Sequence, residues 1–352
     1  MLSRVYAGGK IMYRILKSDL PKLYAAIAEK NDLFLPVKVA GKTNFAIWNT
    51  DADVDIETLK TVKSPKDAFF PQSENLYSCE KVDGKTMITP EDRCKAPFVV
   101  FGVKACDVRG VAVLDKVFLS EPVDSYYASR REHGIIVSLA CARPETSCFC
   151  GAFDIDCAAP EGDVATWQAG EYLYWQVQSE KGEALTAQLT ALLQNCDEQP
   201  VEEAKTAIRA ICDRLPLKDL DLSAWGADAA DKNFNSPLWE QMYQPCLACG
   251  TCTFVCPTCQ CYDIKDYNTG SGVQRYRCWD SCMYSDFTMM AHGNNRNSQM
   301  QRFRQRFMHK LAYFPANNDG MFSCVGCGRC VDRCPANLNI VKVIKAFGKE
   351  EK

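Results

Sequence analysis

The sequence predicts an α+β protein in two parts: an N-terminal α/β domain over residues 1–230, built round a βαβ unit, and a cysteine-rich domain over residues 231–352. Three observations carry this. FVVFGV at 98–103 and GIIVSL at 134–139 are unbroken apolar runs, the pattern of strands buried on both faces. Between them Val108, Val111, Leu114 and Phe118 recur at helical spacing over residues 107–119, so strand, helix and strand make a βαβ unit with parallel strands. Finally, twelve of the 21 cysteines lie at or after Cys246, and that rise in density marks the second domain.

In chain order, MLSRVYAGGKIMYRILK has no apolar stretch of the kind a secretory leader needs. Met12 opens a better-formed, helical start, so residues 1–11 are expected to be an extension. Ser18, Asp19, Leu20 and Pro21 read as a helix start, with Ser18 as the cap and Pro21 in the first turn. Residues 44–48 read as a strand and 64–71 as a turn-rich loop. After the βαβ unit come a strand at 171–177, amphipathic helices at 182–196 and 201–215, and a polar Asp- and Ala-rich connector at 217–237. A further helix is expected over 299–313.

The second domain is organised by CLACGTCTFVCP at 246–257 and CVGCGRCVDRCP at 324–335. Both are C-x2-C-x2-C-x3-C-P, the spacing that holds a cubane [4Fe-4S] cluster in two-cluster bacterial ferredoxins. There the fourth cysteine of each run ligates the cluster held mainly by the other. The expected ligand sets are therefore Cys246, Cys249, Cys252 and Cys334 for one cluster, and Cys324, Cys327, Cys330 and Cys256 for its twin. Zinc in paired CxxC sites has no use for the third cysteine or for the proline. The domain is expected to be ferredoxin-like, with residues 257–323 as a long insertion, and the repeat implies local pseudo-two-fold symmetry.

Cys106 follows the first buried strand and Cys141 the second. If those strands are parallel neighbours, their C-terminal ends lie about 5 Å apart, at the edge where open α/β sheets place ligands. The next loop adds Cys148 and Cys150, so Cys106, Cys141, Cys148 and Cys150 are expected to hold a third iron–sulfur cluster, with Cys157 a spare for any one of them. The plainer reading of Cys106 and Cys141 is that of small buried hydrophobes. Cys259, Cys261, Cys278 and Cys282 either hold a fourth centre or act as packing and hydrogen-bonding neighbours of a cluster. Cys79, Cys94, Cys196 and Cys212 have no ligand spacing and read as structural.

Composition sets bounds. A hydrophobic content of 47% and a charged content of 24% are those of an ordinary globular protein, and the net charge of −3 gives no case for nucleic acid or a membrane surface. No apolar run approaches the ~18–20 residues of a membrane span. An odd number of cysteines without an export signal fits thiolates kept reduced in an anaerobic cytoplasm. The stretch 295–310, with Arg296, Arg302, Arg304, Arg306, His309 and Lys310, reads as a solvated basic face with Phe303 and Phe307 packed inward; the sharper reading is a docking surface for an acidic partner. His133, His292 and His309 are isolated, and there is no dinucleotide fingerprint, Walker loop or Ser–His–acid set to nominate as catalytic. One-electron centres without a visible two-electron site describe a wire, which needs one partner for hydride and another for the terminal substrate.

CLACGTCTFVCPTCQCYDIKD, RYRCWDSC, HGNNRNSQMQRFRQRFMHK and CVGCGRCVDRCP, with FGVKACDVRGVAVLDKVFL, YYASRREHGIIVSLAC and SCFC upstream, resemble the sulfhydrogenase β-subunit and anaerobic sulfite reductase A-subunit family from about residue 12 to the end. The resemblance implies that Cys106, Cys141, Cys148, Cys150, Cys259, Cys261 and Cys282 match family cysteines, whereas Cys157 and Cys278 fall where the family has none. It implies a relay of electrons between a flavin subunit that handles NAD(P)H and a catalytic hydrogenase or sulfite/sulfur reductase subunit, with ferredoxin as a further exchange partner. Residues 152–167 depart from the family pattern. A free-standing ferredoxin-like carrier is the alternative, against which the long N-terminal domain speaks.

Overall fold

The computed structural model describes residues 12–91, 94 and 96–350; the extension expected at 1–11 lies outside them. The described residues cluster in two units, those within 1–65, 95–109 and 132–218, and those within 66–94, 110–131 and 219–352. A single boundary at residue 230 is therefore corrected: two N-terminal stretches belong with the C-terminal segment. The reason is strand pairing, since Ser73–Val82 lies antiparallel to Gly272–Trp279 in the stretch between the two cysteine runs.

The first unit is an eight-stranded mixed sheet in the order Gln194–Asn195, Met12–Leu16, Tyr172–Val177, Val164–Ala169, Gly134–Leu139, Phe98–Val103, Asp32–Val39, Lys42–Ile47. Its centre is parallel: Phe98–Val103 pairs with both Asp32–Val39 and Gly134–Leu139, and the latter with Val164–Ala169. Every residue of Phe98–Val103 is buried, as its apolar run requires. Alternation sorts side chains to two cores. Leu173 and Trp175 join Leu33, Val99, Phe101 and Val137 in one, while Tyr174, Ala165 and Trp167 join Cys141, Cys157, Val201 and Ile208 in the other. Helix Gln199–Cys212 presents Val201, Lys205 and Ile208 at i, i+4 and i+7 and packs on Val164–Ala169.

Three local expectations change. Met12–Leu16 is a strand, not a helical start, because its backbone pairs with Tyr172–Val177 and tertiary pairing overrides local preference. Ser18 lies in a 3-10 turn over Lys17–Asp19, and helix Leu20–Ala28 has Asp19 at its N-cap with Pro21 in the first turn. The helix expected at 182–196 is Glu180–Ala187, capped by Ser179, which accepts from Gly182 N at 3.2 Å; the chain then turns so that Gln194–Asn195 joins the sheet edge.

The second unit holds a four-stranded antiparallel sheet in the order Tyr262–Asn268, Gly272–Trp279, Ser73–Val82, Lys85–Pro90. Asp83 and Gly84, both with positive φ (51° and 77°), make the two-residue hairpin turn that suits right-handed strand twist. Arg277 anchors this sheet: 4% exposed, it pairs with Glu74 at 2.6 Å and also with Asp124. Helix Gln299–Met308 begins with a Ser298/Gln301 capping box and continues into one π-helical turn, His309–Tyr313. Its Phe303 and Phe307 pack against Trp239, with ring centroids 6.1 and 6.5 Å away. Among the described residues no helix is long and apolar enough to cross a membrane.

Candidate metal centres

Each C-x2-C-x2-C-x3-C-P run folds the same way. Ala248 and Gly326 have φ of 51° and 59°, Gly250 and Gly328 have φ of 71° and 78°, and short helices Thr251–Phe254 and Arg329–Asp332 follow. Alternating left- and right-handed residues curl the loop, so the first three cysteines face one point and amide N–H groups turn toward sulfur. Ala248 N donates to Cys246 Sγ at 3.4 Å, and Leu338 N to Cys334 Sγ at 3.1 Å. Gly250 also has a steric reason to be glycine: a Cβ there would meet the Tyr284 hydroxyl at 2.5 Å.

Cys246, Cys249, Cys252 and Cys334 line one cavity, walled by Met283, Phe303, Phe307, Leu338 and Arg306. The first run and the last cysteine of the second are thus brought together. Cys256, Cys324 and Cys330 lie within charge range of one another, and Cys327 is buried in the same run. Burial pushes Cys252 up to about 11 and Cys324 up to about 12, so these thiols ionise only against a compensating positive charge.

That charge comes from helix Gln299–Met308 and the π-helical turn after it. The basic stretch is not simply a solvated face: Phe303 and Phe307 pack inward as expected, but Arg306 and Lys310, each 3% exposed, are buried with them. Arg306 donates to Cys252 O at 3.1 Å and interacts with Cys252, Cys330, Cys259 and Cys256; although burial opposes it, the thiolates hold its guanidinium well above the ordinary arginine value. Lys310 donates from Nζ to Thr258 Oγ1 at 2.7 Å and is raised by Cys256 and Cys259 against the same opposing burial. Lys66, also buried, donates to Cys259 O at 2.7 Å and sits 3.8 Å above the Trp279 ring. Arg306 Nε has no hydrogen-bond partner although it is buried. Three buried cations and an unpartnered guanidinium N–H beside Cys252, Cys256, Cys259, Cys324 and Cys330 fit anionic clusters. The sequence carried a signal for this that went unread: Phe303, Arg306, Phe307 and Lys310 fall at i, i+3, i+4 and i+7 and share one helix face.

At the end of the first run, Cys259 hydrogen-bonds Cys256, which is held well below the ordinary thiol value while Cys259 is pushed well above it. Cys261 and Cys282 hydrogen-bond each other. Cys278 stands apart on strand Gly272–Trp279, paired across from Asp263 and interacting with Lys265, so it is corrected out of that group.

In the first unit Cys141, Cys148 and Cys150 gather beyond the C-terminal end of the parallel strands, with Cys157 and Cys212 beside them. Cys157 Sγ lies 3.0 Å from Cys212 Sγ and also hydrogen-bonds Cys141 and Cys150. Cys148 is within charge range of Cys141 and Cys150, and burial pushes it up to about 11. Cys106 and Cys141 both face buried Lys104, which burial lowers and those thiols raise. Among the described residues no three His, Cys, Asp or Glu side chains form the geometry of a single-ion site; the same holds within the two ferredoxin-type runs, as a cubane spreads its ligands wider than one ion does.

Paired loops with matching backbone, an exchanged fourth cysteine and buried countercharge define the class: an iron–sulfur protein of the two-cluster ferredoxin type. Residues 245–338 match the 4Fe-4S dicluster domain. The chain is 31% identical over 328 residues to sulfhydrogenase 2 subunit beta of Pyrococcus furiosus, covering 92% of this chain and 94% of that one. It belongs to the sulfhydrogenase β-subunit family.

Proposed function

We propose that this chain is the electron-transfer subunit of a multi-subunit oxidoreductase, carrying single electrons between a flavin subunit that handles NAD(P)H and a catalytic hydrogenase or sulfite/sulfur reductase subunit. The observation that carries the reading is the cavity that unites Cys246, Cys249 and Cys252 with Cys334. The first cluster is assigned to that set and the second to Cys256, Cys324, Cys327 and Cys330. A cubane supplies a one-electron couple that needs no proton. The chain's own part is to hold it, keep water from it with Met283, Phe303 and Phe307, and set its electrostatic surroundings with Arg306, Lys310 and Lys66. A third centre belongs to the cysteine group of the first unit. Cys259 serves the second cluster by hydrogen-bonding Cys256, with Cys261 and Cys282 as its neighbours; these, not a fourth centre, are what the thiol contacts favour. The location is the cytoplasm, and ferredoxin is a further exchange partner.

The test is anaerobic isolation of the native protein. Co-purification with a flavoprotein and a metal-containing catalytic chain, and at least two clusters per chain by iron and acid-labile sulfide, is the expected result. A monomer that reduces many acceptors by collision would favour the ferredoxin-like carrier instead. Retention of both clusters by Cys334→Ser would sink the exchanged-ligand assignment.

A further inference from the structure

We propose that the third centre is a four-thiolate metal site made by Cys141, Cys150, Cys157 and Cys212. The proposal rests on the reading of a third centre and replaces the ligand set expected from the sequence. Four cysteines from three separate stretches meet here. Cys141 ends the strand Gly134–Leu139 region, Cys150 and Cys157 flank the following turn, and Cys212 is the last residue of helix Gln199–Cys212. Cys157 is the hub, 3.0 Å from the Cys212 sulfur and hydrogen-bonded to Cys141 and Cys150 as well.

The surrounding structure fixes this meeting point. Cys141 N donates to Cys157 O at 3.0 Å, which ties the loop to the end of the strand. Trp167 Nε1 donates to Ala158 O at 2.7 Å and holds the next residue to the sheet. Asp156 takes Nε and Nη2 of Arg209, at 3.1 and 2.7 Å, one turn before Cys212. The Cys157 loop is thereby locked against the end of the helix. Cysteines used as small hydrophobes scatter through a core; here four share one contact point, lined by Ala140, Ala158, Ala165, Trp167 and Val201.

The chemistry follows. Burial among apolar side chains disfavours four thiolates, whereas a thiophilic cation compensates them and releases their protons on binding. An all-sulfur donor set selects iron–sulfur or zinc over harder metals. Tetrahedral zinc, with Zn–S of about 2.3 Å, needs sulfurs roughly 3.8 Å apart, and a cubane needs them wider. The group must open from its 3.0 Å contact in either case. The same close thiol packing occurs at Cys256 and Cys259, inside the dicluster match.

The experiment uses the full chain isolated anaerobically in its complex, with iron, acid-labile sulfide and zinc quantified and the reduced protein examined by electron paramagnetic resonance. Cys157→Ser and Cys212→Ser are expected to lose one centre, about four irons with their sulfide or about one zinc, while Cys106→Ser and Cys148→Ser keep it. Which metal falls identifies the centre. Loss of metal in the Cys106 or Cys148 variant with retention in the other two overturns this ligand set but leaves a third centre standing. Wild-type protein holding two clusters' worth of iron and no zinc overturns both. Should Cys157→Ser fail to fold, Cys212→Ser, at a half-buried helix end, decides alone.

Discussion

Arg306→Met tests the electrostatic reasoning most directly. The guanidinium donates to Cys252 O at 3.1 Å and interacts with Cys330, so one positive charge serves both cysteine quartets. Taking a separation of about 7 Å from a reducible centre and an effective dielectric near 20, a unit charge contributes about 2.4 kcal/mol to the added electron. With about 59 mV per tenfold change for a one-electron couple, the loss lowers the reduction potential by roughly 100 mV. The sign follows because the reduced cluster is the more negative form and loses its countercharge. Methionine keeps much of the volume but leaves Cys252 O unpaired, a cost of about 1–3 kcal/mol in stability that melting will register separately. The assay is an anaerobic redox titration followed by electron paramagnetic resonance, on protein with its full iron content. Arg306→Lys should restore most of the potential. A fully loaded methionine variant with a midpoint within about 20 mV of wild type would refute the claim that this cation tunes the clusters.

Arg277→Met takes one of two arginines from Glu74, which keeps Arg130 at 2.9 Å, and should cost about 1.5–3 kcal/mol in unfolding by denaturant, the worth of a hydrogen bond to a charged group; a variant as stable as wild type would contradict the anchoring role. His309, enclosed near Lys310 and Arg296, is lowered by burial first and by those cations second, to about 4. The unfolded chain therefore takes up the proton first, so stability is full above about pH 6.5 and declines toward pH 4 by about 3 kcal/mol; His309→Gln should flatten the melting temperature over that window, and an unchanged slope would contradict it. Gly110→Val places a Cβ 2.9 Å from Pro257 Cβ, directly behind Cys256, and should lower iron occupancy as well as stability. Gly110→Val with wild-type iron and melting would show that the proline loop yields freely.

Much of the site was legible because its chemistry is local. Cysteine spacing is fixed by loop geometry, so the two runs could be read without knowing the fold around them. The central strands were equally plain, since burial on both faces leaves continuous apolar runs such as FVVFGV. Helix 299–308 is legible from its spacing, but the burial of Arg306 and Lys310 is not, because charge in a sequence reads as exposure unless its buried partners are known. Ser18 was misread as a cap because several neighbouring polar residues compete for one helix start, and backbone geometry alone picks Asp19.

By itself, then, the sequence determined the ligand-bearing loops, the parallel core and the class of electron carrier, all of which depend on neighbours a few residues apart. Only the tertiary structure decided that residues 66–94 join the C-terminal unit through the strand at 272–279, that Arg306 and Lys310 are buried beside thiols, and that Cys212 meets Cys157 across 55 positions of chain. Those facts rest on which faces are pressed together, and pressing distant faces together is driven by non-directional burial of apolar surface, which leaves no fixed spacing in the sequence to read.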